Sequence, residues 1–74
     1  MKKKQQARLE NWSVREVFGR LQCMGNVYGH PRMLDGKFVY TSQVISFNKV
    51  YRTVETINTF YILGKPAERE ENYN

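Results

Sequence analysis

The segment Gly25-Asn26-Val27-Tyr28-Gly29-His30-Pro31-Arg32 gathers more recognition chemistry than any other stretch of this 74-residue chain. Asp35-Gly36-Lys37 and Tyr40-Thr41-Ser42 follow close behind it. Together these residues supply a guanidinium, an ammonium, two hydroxyls, an imidazole and two aromatic faces. A guanidinium fork matches two phosphate oxygens at once, and a Tyr ring gives a base something to stack on. The chemistry on offer is recognition of an anion, with a nucleotide as its natural form. The same residues also serve structure, since Gly29 and Pro31 shape a turn and Asp35-Gly36 sets a hairpin. Tyr28, His30, Arg32, Lys37, Tyr40, Thr41 and Ser42 are therefore candidate ligand-binding residues, with Arg52 as a further phosphate contact.

Catalysis finds no comparable set. A hydrolase of the Ser-His-acid type needs a nucleophile, a base and an orienting group. His30 is the only imidazole, and no Gly-x-Ser-x-Gly elbow occurs. Cys23 falls at an inward position, where a thiol behaves as a small core hydrophobe. One His and one Cys cannot close a structural zinc site of four ligands, and the acids between residues 8 and 65 are too scattered to cluster around magnesium. Neither glycine-rich phosphate loop is present. The expectation is a binding protein and not an enzyme, with no metal and no cofactor.

Charge points the same way. The formal net charge is +5. Lys2, Lys3 and Lys4 contribute +3 at one end, and Glu68, Arg69, Glu70 and Glu71 contribute −2 at the other. Between Arg8 and Lys65 there are eight basic residues and four acids, which leaves the central part at +4 without its ends. Such an excess favours an anionic partner as well as solubility. Lys2 to Lys4 read as a solvated tail able to add salt-sensitive contacts to nucleic acid.

Positioning these groups falls to strands. Residues 1–7 and 67–74 are polar and read as mobile tails flanking one β domain over 8–66. Between them β-branched and aromatic residues alternate with turn residues at short intervals. Strands are expected at 9–18, 20–28, 37–47 with a kink near 43, 50–56 and 60–63, the last two joined across Asn58-Thr59. Val, Tyr and Thr dominate 50–57 and outweigh a helical alternative there. Gly25 inside the second strand signals a bulge or a close backbone approach. Trp12, Phe18, Phe38 and Phe60 are assigned to the core. The four tyrosines Tyr28, Tyr40, Tyr51 and Tyr61 suit an aromatic platform, but equally suit core packing. The fold class expected is all-β: a small barrel or strongly bent antiparallel sheet of five to six short strands.

A chain this short buries only roughly 60% of its unfolded surface, so it needs a staple. Cys23 is the only cysteine, which excludes an internal disulfide and leaves self-association as the expected staple. No apolar run approaches the roughly 20 residues that span a bilayer, and the basic start lacks an apolar region after it. With a free thiol, a reducing, cytoplasmic setting is expected.

The stretch from Leu9-Glu10-Asn11-Trp12 through Gly25-Asn26-Val27-Tyr28-Gly29-His30-Pro31-Arg32, Asp35-Gly36 and Thr41-Ser42 to Tyr61-Ile62-Leu63-Gly64 resembles a family of small proteins encoded by phages and prophages. Tyr-Gly-His-Pro-Arg and Asp-Gly are the most specific elements, and residues 47–59 depart most. The resemblance carries no site residue or activity with it. It implies the cytoplasm of a bacterial host and, by analogy, a counter-defence factor that sequesters a cyclic or adenine-derived nucleotide signal. Two alternatives stand beside that expectation: a small-barrel nucleic-acid binder, and a protein-interaction inhibitor of a host defence enzyme.

Overall fold

The computed structural model describes residues 4–67. It contains five strands: β1 (Gln5–Val17), β2 (Arg20–Tyr28), β3 (Phe38–Asn48), β4 (Thr53–Thr56) and β5 (Thr59–Leu63). They close into one barrel in the order β1-β2-β3-β4-β5, so the chain is all-β, as its patterning implies. Consecutive strands are antiparallel. An odd number of up-and-down strands leaves the first and last running the same way. The seam is accordingly parallel, from Gln5 beside Thr59 to Leu9 beside Leu63.

Alternation puts one side of each strand inside. In β2 the inward residues are Cys23, Gly25 and Val27, and in β5 they are Thr59, Tyr61 and Leu63. The core is Ala7, Leu9, Cys23, Val27, Val39, Val44, Val54, Tyr61 and Leu63, with Trp12, Val14, Met33 and Phe47 packed against it. Most of these side chains are small, because five strands enclose little volume.

β1 changes inward parity partway along. Ala7 and Leu9 point in, and so do Trp12 and Val14. The register explains the change: Glu10 opposes Asn26 and Ser13 opposes Met24, so Asn11 and Trp12 both face Gly25. This is a β-bulge, and Asn11 takes a left-handed φ of 55° within it. A Cβ on Gly25 would lie 2.7 Å from the Glu10 carbonyl oxygen and 3.0 Å from the Trp12 Cα, so the close approach expected at this glycine is real. Beyond the bulge, Trp12 Nε1 donates to the Gly64 carbonyl at 2.9 Å and its ring meets Phe47 edge-on at 6.3 Å.

Several expectations need correction. β1 begins at Gln5, inside the segment read as a tail, because Gln5, Gln6 and Ala7 complete the seam with β5. Lys2, Lys3 and residues 68–74 lie outside the described residues. β4 starts at Thr53, since residues 49–52 form the turn after β3, where the Asn48 side chain accepts a hydrogen bond from the Tyr51 amide at 3.0 Å. The final turn is Ile57-Asn58, with Thr59 already in β5. Phe18, Phe38 and Phe60 are not core residues: the first two are 98% and 46% exposed, and Phe60 is half-buried on the outward side of β5, between the inward Thr59 and Tyr61. Phe38 stands on the outward side of β3, and Phe18 forms the β1–β2 turn with Gly19.

Both residues of that turn have positive φ, 51° for Phe18 and 78° for Gly19, as a type I′ hairpin turn requires. A bulky side chain is strained there, and this one buries nothing in return. Phe18→Asn should therefore raise stability by on the order of 1 kcal/mol, because Asn tolerates the left-handed region. Gly25→Ala should lower it by about 1–3 kcal/mol through overpacking against β1. Urea midpoints of both variants against the parent check the two signs.

Candidate ligand-binding cleft

In an up-and-down barrel, alternate connections emerge at the same mouth. The start of β1, the β2–β3 loop and the β4–β5 turn therefore share one end. Between them lies a cleft of about 680 Å³. Its wall comes from Lys4 and Gln5, from His30, Arg32 and Met33, from Tyr40 to Ser42, and from the stretch around Asn58 and Thr59, with Tyr61 at its base.

The loop that carries His30 and Arg32 is internally braced. The Asp35 carboxylate accepts from the Gly29 amide at 2.8 Å, and Gly29 and Gly36 take φ of 76° and 88°. The Gly36 amide donates back to the Val27 carbonyl at 2.6 Å. His30 is buried, and its Nδ1 accepts from the Arg32 amide at 3.0 Å. In the neutral ring the proton must then sit on Nε2, which bonds to no other described residue and is not sealed away from solvent.

Several polar groups along the wall are committed to the scaffold. The Thr41 hydroxyl accepts from the Cys23 amide at 3.2 Å and donates to the Ser42 carbonyl at 2.8 Å. The Thr56 hydroxyl clips the β4–β5 turn, exchanging hydrogen bonds with the backbone of Thr59. Lys4 Nζ is paired with the Glu55 carboxylate and donates to the Thr56 carbonyl. What remains for a ligand is the exposed Arg32 guanidinium, the His30 Nε2 hydrogen, and the Ser42, Tyr40 and Asn58 side chains. Among the described residues, no carboxylate lines the cleft.

Five of the eight sequence-derived candidates, His30, Arg32, Tyr40, Thr41 and Ser42, thus meet at one place, although the Thr41 hydroxyl is already spent. The other three stand elsewhere. Tyr28 lies outside the barrel under the Arg8 guanidinium, 5.3 Å from its ring centroid. Lys37 is exposed where the loop joins β3, and Arg52 sits in the β3–β4 turn with φ 56° at the opposite mouth. Sequence reasoning missed Lys4, Gln5, Asn58, Thr59 and Tyr61. The rule that alternate connections share a mouth would have found the Asn58 turn once five strands had been counted.

Two core groups, Cys23 and Tyr61, are held in their neutral forms. Burial pushes the Cys23 thiol from its ordinary 9.0 up to about 11, against a smaller opposing effect of a backbone hydrogen bond. Burial likewise raises the Tyr61 phenol. Among the described residues, no three of His, Cys, Asp and Glu come together as metal ligands. Compared with protein-family models, curated proteins and solved structures, the chain finds no match in any of the three.

A thiol with its pKa raised in the folded state contributes stability that is fully present below its unfolded pKa and is lost as pH rises towards the folded one. Stability should therefore fall between pH 9 and about 11, and Cys23→Ala should flatten that fall, leaving the part due to Tyr61. Urea midpoints across this range check it. Native Cys23 should also resist alkylation at neutral pH and react once urea unfolds the chain.

Proposed function

We propose that this protein is a non-catalytic binding module that holds a phosphorylated nucleotide in the cleft at the barrel mouth. The observation that carries the proposal is the convergence there of Arg32, His30, Tyr40, Ser42 and Asn58, from three separate parts of the chain, with no carboxylate among them. Arg32 grips phosphate oxygens through its fork, and the His30 Nε2 and Ser42 hydroxyl donate hydrogen bonds to the same group. Tyr40 and Asn58 meet the nucleoside. Lys4 reinforces the positive field, reduced by its pairing with Glu55. Lys37 and Arg52, placed away from the cleft, take no part.

Two wider elements of the proposal rest on the resemblance and on size. The biological role is sequestration of a cyclic or adenine-derived nucleotide signal in a phage-infected bacterial cytoplasm, which needs tight binding and no turnover. A second copy of the chain completes the mouth, and Ile57, 68% exposed beside the cleft, offers it an apolar contact.

Calorimetry against cyclic dinucleotides, cyclic trinucleotides and cyclic ADP-ribose isomers tests the binding. Heat is expected from at least one ligand, which should be recovered chemically unchanged. Arg32→Ala should weaken that binding by about tenfold or more, the loss expected for a charge-assisted hydrogen bond. Silence across the whole panel, or an Arg32→Ala variant that binds as the parent does, would remove the proposal. Light scattering should return a mass of at least two chains.

A further inference from the structure

The outer face of β1, β2 and β3 has a composition that neither the core nor the cleft explains. Register places Arg8 beside Tyr28 and Arg15 beside Gln22, and it places Tyr40 beside Met24 and Phe38 beside Asn26. All of these side chains lie on the same, outward side. Phe38 is 46% and Tyr40 56% exposed, and their rings meet edge-on with centroids 5.5 Å apart. The Arg15 guanidinium lies over the Tyr40 ring at 5.1 Å and that of Arg8 over Tyr28 at 5.3 Å.

We propose that this face is a second binding surface, sharing with the cleft only Tyr40 at its rim, and that its partner is single-stranded nucleic acid. Three observations select that partner. The rings are arrayed on a sheet open to solvent, where unstacked bases can lie against them without regard to sequence. The field is positive: among the described strand residues, Arg8, Arg15 and Arg20 project from this side against one carboxylate, Glu10, which Arg8 already pairs at 2.8 Å, while Glu16 projects from the opposite side. The arginines are also placed to act twice. Arg8 and Arg15 each lie over a ring now, and on binding each either swings to a phosphate and frees the ring for a base or offers its own plane for stacking. The convex sheet presents no helix or ribbon of the kind that enters a duplex major groove.

Fluorescence anisotropy with a short fluorescein-labelled deoxyoligonucleotide of mixed sequence tests the proposal, alongside the same sequence as a duplex. The single strand should bind more tightly than the duplex, and its affinity should fall steeply as salt is raised. Phe38→Thr suits an exposed strand position and should weaken binding about tenfold through loss of stacking. Arg15→Gln should weaken it and reduce the salt slope by about one. Far-ultraviolet circular dichroism identifies any variant that fails to fold, and the other variant then carries the test. Arg32→Ala should bind the oligonucleotide as the parent does, and Arg8→Gln, which touches Tyr28 and not Tyr40, should weaken oligonucleotide binding without changing nucleotide heats, so the two surfaces fail or stand separately. The proposal is overturned by absence of single-strand binding at low salt, by equal or tighter binding of the duplex, or by parental affinity in both folded variants.

Discussion

Closing a ring with five strands over so small an interior forces β1 to pair with two neighbours that curve away from each other. Gln5 to Leu9 lie along β5 and Arg8 to Val17 along β2, so that Arg8 and Leu9 pair with both. No regular strand of this length can follow both while keeping its apolar side inward. The bulge at Asn11 and Trp12 resolves the conflict by inserting one residue and flipping the parity. Leu9 and Trp12 then both face the interior, although their sequence separation is odd. The insertion needs space opposite, and Gly25 provides it by having no side chain. Trp12, turned inward at that point, donates to the Gly64 carbonyl and fastens the end of β5. The closed ring, the packing of Trp12 on Phe47 and the shared mouth that assembles the cleft all follow from this local exchange of an extra residue for a missing methyl.

The two surfaces differ in how much of their polarity is already used. In the cleft the scaffold takes up the Thr41 and Thr56 hydroxyls and most of the Lys4 ammonium, which fixes the wall and leaves a few groups on the loop free. That loop is held at both ends by backbone hydrogen bonds and across its middle by Asp35, so Arg32 projects from a braced base. On the outer face Arg8 and Arg15 are stacked on rings and held by Glu10 and Gln22 respectively, yet both stay open to water. Ordering an exposed side chain costs entropy, and the stacked arrangement lowers that cost before any partner arrives.

Much of this architecture was legible in the residues themselves. β2 was expected with its observed bounds, because Cys23 and Val27 alternate with polar neighbours and turn residues flank the strand. The irregular β3, whose register against β2 shifts between Tyr40 and Gln43, the meaning of Gly25 and the Gly29 to Gly36 loop were equally readable. Aromatic residues misled wherever size was taken as evidence of burial: a barrel this narrow has no room for Phe18 or Phe38, and strand alternation already put Phe38 on the side opposite Val39. Gln5 and Gln6 looked like tail because their side chains are polar, yet a seam is made by backbone amides and carbonyls, which composition does not reveal. For the cleft, the residues near His30 were local in sequence and visible, whereas Asn58 and Thr59 join them only through the topology. The commitment of the Thr41 hydroxyl to Cys23 is likewise a product of register, and no spacing rule announces it.

The direction of the closing seam has a practical consequence for handling the protein. Because β1 and β5 run side by side the same way, the polypeptide enters the barrel at one mouth and departs towards the other. Lys4 stands at the rim of the cleft, whereas Lys65 to Ala67 continue past Leu9 to lie beside Asn11 and Trp12. A fusion partner or surface anchor joined ahead of Lys4 would crowd the cleft. One joined beyond Ala67 would attach farther along β1 and leave that entrance open.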